Sequence, residues 1–197
     1  MKTVLAAAIL FLTVTAHAAP RVGEPAPDFT LSDQTGKPVK LSDAKGKFVV
    51  LEWFNKDCPF VRKHYGSKNM QGLQKKYGKK GVVWYSIVTS RAGKEGHMTP
   101  AEAVAEMKTD GMASKAILLD EKGDVGRQYS AKTTPHMFVI DKKGVLIYQG
   151  GIDDTPSADP ADIKTSKNLV AAALDEAMAG KAVSTPSAPP YGCSVKY

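Results

Sequence analysis

The chain has 197 residues, a formal net charge of +7 and two cysteines. Its lysines are scattered and form no long basic block interleaved with aromatic residues, which argues against a nucleic-acid-binding protein. This length suits one globular domain with a full hydrophobic core. After residue 18 no segment is long and apolar enough to cross a bilayer, so a stable membrane span is not expected.

The first 18 residues are typical of a secretory signal peptide. A positively charged start, Met1-Lys2, precedes a mostly apolar run and the small-x-small sequence Ala16-His17-Ala18, after which cleavage is expected. A retained membrane anchor is the alternative, but the apolar run is short for that purpose. We therefore expect a periplasmic or extracellular protein that begins at Ala19, in a compartment that tolerates disulfides.

Residues 19–183 are predicted to form one α/β domain. The segments 29–31 and 39–41 flank a turn-forming stretch, a pattern typical of a β-hairpin. Apolar runs predict further strands at residues 48–54, 82–88, 116–119, 137–140 and 145–148. Helices are predicted up to residue 78 with an interruption near 66, from 100 to 110, from 125 to 129 and from 166 to 178. This order predicts a central mixed β-sheet flanked by helices.

Residues 184–197 are predicted to be an extended C-terminal tail. The stretch from Val183 to Pro190 has the proline- and serine-rich composition of a semi-extended linker. The tail would either carry Cys193 away from the body or fold it back over the surface. Its two aromatic side chains, Tyr191 and Tyr197, are candidates for anchoring it to the body.

Cys58 is the main candidate for a reactive residue. It follows the apolar run 48–54 and stands where a buried strand gives way to a helix, a position at which the helix N-terminus stabilises a thiolate. A buried, inert cysteine is the alternative. Three basic neighbours are expected to raise the thiolate fraction: Lys56, Arg62 and Lys63.

Cys193 is the only other cysteine in the sequence. Val61 stands three residues after Cys58, where a dithiol motif would have its second cysteine, so a thiol partner within this molecule can only be Cys193. Such a pair could act in a redox cycle, or it could be a permanent bridge that stabilises the fold by up to about 5 kcal/mol. A free thiol that pairs with another molecule is a third possibility.

The chain resembles the thioredoxin-fold redoxins of the peroxiredoxin-like group, known as the alkyl hydroperoxide reductase/thiol-specific antioxidant family. The resemblance rests on four blocks, at residues 22–29, 31–37, 49–60 and 133–141. It implies a thioredoxin-like fold with an N-terminal β-hairpin extension, and a thiol-dependent oxidoreductase that needs no cofactor. The implied partners are an external thiol reductant or oxidised protein thiols.

The same resemblance implies roles for residues around Cys58. Glu52 lies in the place of the buried acid that handles protons in thioredoxins, although a salt-bridged Glu52 without a role is the alternative. The Thr134-Pro135 pair resembles the cis-proline turn that faces the active cysteine, against the alternative of an ordinary trans proline. Four residues are expected to position the substrate: Asn55, Pro59, Thr134 and Pro135.

The sequence departs from a typical peroxiredoxin in two ways. Asn55 replaces the hydroxyl residue three positions before the cysteine, and no arginine lies in the block 133–135. These changes remove groups that polarise the peroxide bond, which puts efficient peroxide reduction in doubt. The three histidines after the predicted signal peptide do not have the spacing of metal ligands, and no metal site is expected: His64, His97 and His136.

The sequence therefore predicts an exported thiol oxidoreductase. Cys58 would be the redox nucleophile, resolved by Cys193, in a protein that reduces peroxide or exchanges disulfides. The alternative is a non-catalytic redoxin scaffold in which a structural Cys58–Cys193 disulfide holds the tail and the domain binds a partner protein. The sequence gives no indication of the oligomeric state.

Overall fold

The structure, a computed structural model, describes residues 19–197, so the signal peptide predicted for residues 1–18 lies outside the described residues. The strands in chain order are β1 (Thr30–Asp33), β2 (Pro38–Lys40), β3 (Val49–Trp53), β4 (Val83–Val88), β5 (Ala116–Leu119), β6 (Thr133–Thr134), β7 (His136–Ile140), β8 (Leu146–Gly150) and β9 (Cys193–Ser194). The helices are α1 (Pro59–Gly66), α2 (Asn69–Gly78), α3 (Pro100–Asp110), α4 (Asp124–Gln128) and α5 (Leu169–Met178), with 3₁₀ turns at Leu41–Ala44 and Pro160–Lys164.

Seven of these strands form one mixed sheet in the order β2-β1-β5-β4-β3-β7-β8. Strands β3, β4 and β5 run parallel, whereas β7 pairs antiparallel with β3 and β8 pairs antiparallel with β7. The predicted N-terminal hairpin is present as β1 and β2, with Leu31 opposite Val39, and it extends the sheet beyond β5. The predicted mixed sheet with a hairpin extension is therefore confirmed.

The central strand β3 is buried along its whole length because both of its faces are covered. Side chains alternate between the faces, so Val50 packs in the cluster beside α1, α2 and α5, while Leu51 and Trp53 pack in the cluster on the other face. Glu52 shares its face with Val50, which places a carboxyl group under α1 and α2. The sheet therefore positions the residues at the end of β3, where the candidate site lies.

Local signals set the helix ends. Thr99 and Glu102 form a capping box at the start of α3, which begins at the predicted Pro100. The predicted interruption of the first helical region is the break between α1 and α2, where Lys68 has a φ of 64°. Helix α5 begins three residues later than predicted, because the Asn168 side chain accepts a hydrogen bond from the Ala171 amide (2.7 Å) and caps the helix there.

The tail folds back over the body and does not carry Cys193 away from it. The Gln149 amide donates to the Pro186 carbonyl (3.1 Å), and the Ala188 amide donates to the Gln149 carbonyl (3.1 Å). Gly150 allows this close crossing, because a Cβ at its φ of 148° would overlap the Ala188 carbonyl oxygen. Further on, β9 pairs antiparallel with β6 in a separate two-stranded sheet.

None of the helices within residues 19–197 combines the length and the apolar sequence that crossing a bilayer requires.

Candidate active site

Cys58 lies at the junction predicted from the sequence, as the N-cap residue of α1. Its amide donates to the Asn55 carbonyl (3.2 Å), which forms the turn after β3, and Pro59 occupies the first position of the helix. The Cys58 side chain is fully buried, and its Sγ donates to the Thr134 carbonyl oxygen over 3.0 Å. The nucleophile candidate is therefore held between the start of α1 and the β6 strand.

The Thr134–Pro135 peptide bond is cis, as predicted. Pro135 separates the two-residue strand β6 from β7, and β7 pairs with β3 in the main sheet. This arrangement presents the Thr134 carbonyl to Cys58 and pairs Thr134 with the tail.

Cys193 lies directly opposite Thr134 in the β6–β9 pair, and the Thr134 carbonyl accepts from Cys58, so both cysteines lie beside the same residue. Cys193 is partly exposed, whereas Cys58 is buried, and both are free thiols in this structure. Burial, followed by a hydrogen bond and charge interaction with Cys58, raises the pKa of Cys193 to about 12. In this arrangement Cys193 is a protonated thiol beside the Cys58 sulfur.

The cations near Cys58 behave differently from the expectation that they would stabilise its thiolate. Each one is paired with a carboxylate, and such pairing weakens the field at the sulfur. The nitrogen–oxygen distances are 2.8 Å for Lys56 with Asp57, 2.7 Å for Arg62 with Asp110 and 3.6 Å for Lys63 with Asp153. The Cys58 side chain makes no capping hydrogen bond to the first turn of α1, and its Sγ donates to the Thr134 carbonyl instead.

Glu52 is fully buried and accepts hydrogen bonds from four side chains. The donors and their distances are Trp84 Nε1 (2.8 Å), Tyr65 Oη (2.9 Å), Ser86 Oγ (3.3 Å) and Gln74 Nε2 (3.4 Å). Burial raises its pKa to about 7 against the opposing effect of these donors, so the carboxyl group can take up and release a proton near neutral pH. In residues 19–197 no salt bridge involves Glu52, and its hydrogen bonds reach α1 through Tyr65 rather than Cys58 directly.

Asn55 and Pro59 lie on either side of the Cys58 turn. Asn55 is buried, and its side chain accepts from the Asp57 amide (2.8 Å) and donates to the Glu95 carbonyl (3.5 Å). Both polar groups of Asn55 therefore stabilise the surrounding loops, while Pro59 is exposed at the helix start. A role for either residue in positioning a substrate stays a prediction.

Sequence reasoning missed a buried polar cluster behind α1. The side chains of Lys63 and Asp153 are 0% and 3% exposed, and they lie beside His64, whose pKa burial lowers to about 4. The Tyr191 hydroxyl donates to Asp153 and lies 3.4 Å from His64 Nε2, which supports the predicted anchoring of the tail by this tyrosine. The only sequence signal was a lysine on the buried side of a helix.

The far end of the tail is anchored by Tyr197, the other predicted aromatic. Its hydroxyl donates to the Ala131 carbonyl (2.8 Å), and the Arg127 guanidinium lies 4.8 Å from its ring centre. In the described part of the chain, no group of three or more His, Cys, Asp or Glu side chains is arranged to hold a metal ion.

Comparison with known proteins gives consistent matches. The model described as AhpC/TSA family matches residues 22–149. Thioredoxin-like protein YneN of Bacillus subtilis (strain 168) is 31% identical over 124 residues, which are 63% of this chain and 68% of that protein. Thiol-disulfide oxidoreductase ResA of Bacillus thuringiensis subsp. konkukian is 29% identical over 128 residues, 65% of this chain and 68% of that protein.

A solved structure resembles nearly the whole described chain. The crystal structure of a hypothetical protein, SMc02350 from Sinorhizobium meliloti 1021, superposes with a TM-score of 0.75 at 26% identity. The superposition covers 91% of this chain and 96% of that one. By contrast, the family match includes Cys58 and the Thr134–Pro135 turn but ends before the tail that carries Cys193.

Proposed function

Because this chain belongs to the AhpC/TSA family and is a redoxin with the thioredoxin-like fold, we propose that it is an exported thiol oxidoreductase using Cys58 and Cys193. One observation carries this proposal: Cys58 Sγ donates to the Thr134 carbonyl, and Cys193 lies opposite Thr134 in the adjacent strand pair. Two thiols held this way need little movement to form a bond. Export rests on the signal-peptide pattern of residues 1–18.

Disulfide exchange proceeds in two steps at this site. The Cys58 thiolate attacks one sulfur of a substrate disulfide, forms a mixed disulfide and releases the other sulfur as a thiolate. Cys193 then loses its proton, attacks Cys58 Sγ and releases the second substrate thiolate, which leaves a Cys58–Cys193 disulfide. An external dithiol donor supplies two electrons and restores both thiols.

Peroxide reduction would use the same residues. Cys58 attacks one peroxide oxygen, becomes a sulfenic acid and releases water or an alcohol. Cys193 attacks the Cys58 sulfur and releases water, which gives the same disulfide. Glu52, with its pKa of about 7, is the proposed proton-exchange group for these steps, while Asn55, Pro59 and the Thr134–Pro135 turn position the substrate.

Single-cysteine variants test this function. The purified protein is given peroxide or a small disulfide together with a dithiol donor, and substrate consumption is followed. We expect Cys58→Ser to lose at least about a hundredfold in turnover, since the nucleophile is gone. Cys193→Ser should keep the first step and accumulate Cys58 sulfenic acid or mixed disulfide, detected by mass spectrometry. Equal turnover in Cys58→Ser and the unchanged protein would refute the proposal.

A permanent, structural Cys58–Cys193 bridge in a binding scaffold is the second candidate. The complete burial of Cys58 favours it, because a substrate can reach this sulfur only after the tail moves. Alkylation and mass spectrometry under graded reducing potential separate the two functions. A bond that stays oxidised at potentials down to about −300 mV, and that is reduced only when the protein unfolds, would establish the scaffold. A bond reduced in the folded protein at higher potentials would support the redox cycle.

A further inference from the structure

The redox cycle does not use Lys63 and Asp153, an ion pair in which both side chains are almost fully buried. Lys63 Nζ lies 3.6 Å from Asp153 Oδ2 and donates to the Thr155 carbonyl over 3.3 Å. Taking two charges out of water is costly, and apolar residues of similar volume often stabilise a protein as well or better. The pair therefore calls for an explanation beyond stability.

Tyr191 connects this pair to the tail. Its hydroxyl donates to Asp153, and the Lys63 ammonium lies 5.8 Å from the centre of its ring. The ring of Phe60 packs edge-on against Tyr191, with the ring centres 5.9 Å apart. Tyr191 lies two residues before Cys193, so these contacts form the last anchor of the tail before the thiol.

Helix α1 connects the Tyr191 anchor of the tail to the sulfur of Cys58. Cys58 caps α1, while Phe60 and Lys63 belong to its first two turns. One rigid helix therefore carries the nucleophile at its N-terminus and holds the tail through two of its side chains. Any displacement of Tyr191 from Lys63 and Asp153 would move Cys193 relative to Cys58.

We propose that Lys63, Asp153 and Tyr191 form a clamp that positions Cys193 for bond formation with Cys58. This inference rests on the proposed redox function and adds three positioning residues to it. A docked tail presents its thiol at a much higher effective concentration than a freely moving one, and the intramolecular step is faster for that reason. The buried charges give the Tyr191 hydroxyl a strong, directional acceptor.

Two tyrosines of the tail provide a matched pair of variants. Tyr191→Phe removes the hydroxyl bound to the carboxylate, whereas Tyr197→Phe removes a hydroxyl bound to the neutral Ala131 carbonyl. Both keep the aromatic ring and are expected to fold. The reduced protein is mixed with dithio-bis-nitrobenzoate, whose coloured thiolate is released once when the first cysteine reacts and again when the Cys58–Cys193 bond forms.

The clamp predicts a slower second release. In Tyr191→Phe this release should slow by about tenfold, because a hydrogen bond to a charged group is lost. The first release should not slow, because a less firmly held tail leaves Cys58 no less accessible. In Tyr197→Phe both releases should stay within about twofold. A second release in Tyr191→Phe as fast as in the unchanged protein would overturn the clamp.

Two further measurements keep the outcomes distinct. Asp153→Asn combined with Tyr191→Phe should slow the second release no more than the stronger single change, because both act on one hydrogen bond, which Tyr191→Phe removes and Asp153→Asn weakens by neutralising its acceptor. Additive effects would contradict the shared role. If the unchanged protein gave no second release, the proposed redox function itself would fail, since Cys58 and Cys193 would not form a bond.

Discussion

The two sulfurs of this protein are held by different kinds of structure. Cys58 is fixed by the body: it caps α1, follows the central strand and is part of the main hydrophobic cluster. Cys193 is fixed by a two-residue strand and by the contacts of Tyr191 that precede it, while Tyr197 anchors the tail beyond it. One sulfur depends on a large cooperative core, and the other depends on a few separate contacts.

This difference determines how each sulfur responds to change. A core residue moves only when many neighbours move with it, because protein interiors are close-packed. A tail held by separate contacts can be released locally at a small fraction of the global unfolding free energy. Changes beneath Cys58 should therefore affect stability most, whereas changes in the tail should affect the rate of disulfide formation.

The largest expected effect on the body comes from Glu52. Its pKa is about 7 in the folded protein and near its ordinary value of 4.5 in the unfolded chain. Between these values the folded protein binds more protons, so this group's contribution to stability falls as pH rises from about 4.5 to about 7. The full change is about 3 kcal/mol in the free energy of unfolding, and it should be absent in Glu52→Gln.

Urea unfolding of the reduced protein at about pH 5 and about pH 8 measures this difference. Burial lowers the pKa of His64 and of His136 from 6.5 to about 4. The contribution of these two groups to the free energy of unfolding therefore changes in the opposite direction, and it falls as pH falls from about 6.5 to about 4. Glu52→Gln and the unchanged protein both contain these histidines, so the effect of the histidines cancels when the two pH profiles are compared. Parallel pH profiles for Glu52→Gln and the unchanged protein would exclude a raised Glu52 pKa.

An intermediate effect is expected where the tail crosses Thr134. Gly192 has a φ of 134°, and a Cβ there would overlap the Thr134 carbonyl oxygen. Gly192→Ala should displace β9 and slow disulfide formation by about tenfold or more, since such backbone strain is comparable to the energy that holds the strand. The second release from dithio-bis-nitrobenzoate measures this rate.

Gly180→Ala is the control for Gly192→Ala. Gly180 also has a positive φ, of 73°, but no atom lies within 4 Å of the Cβ that would be added. The control therefore introduces backbone strain without displacing β9, and its rate of disulfide formation should stay within about twofold of normal. Equal rates in the two alanine variants would show that the β6–β9 pairing does not position Cys193.

The sequence predicted the surroundings of Cys58 far better than the contacts that hold the tail. An apolar run followed by Cys58 indicates a strand-to-helix junction, and Glu52 inside that run indicates a buried carboxyl, so local pattern was sufficient. The cis bond before Pro135 was predicted from the family resemblance and is present. The ion pair of Lys63 with Asp153 joins positions 90 residues apart in sequence (153 − 63), and no local pattern encodes such a partner.

The smallest expected effect concerns which sulfur of the oxidised protein an external thiol attacks. Cys193 is partly exposed at the edge of a two-stranded sheet, while Cys58 is buried. Attack at Cys193 releases Cys58 as the leaving group. The reverse attack would release Cys193, whose thiolate is disfavoured because burial raises its pKa to about 12.

Access and leaving-group chemistry therefore favour the same sulfur, and we expect glutathione adducts on Cys193 to outnumber those on Cys58 by about tenfold. The oxidised protein is mixed briefly with reduced glutathione, quenched with acid, alkylated and mapped by peptide mass spectrometry. Displacing the tail with Gly192→Ala should bring the two adducts closer to equal, since Cys58 then becomes accessible. Adducts mainly on Cys58 in the unchanged protein would show that the tail opens before the disulfide is attacked, and that the burial of Cys58 does not protect it.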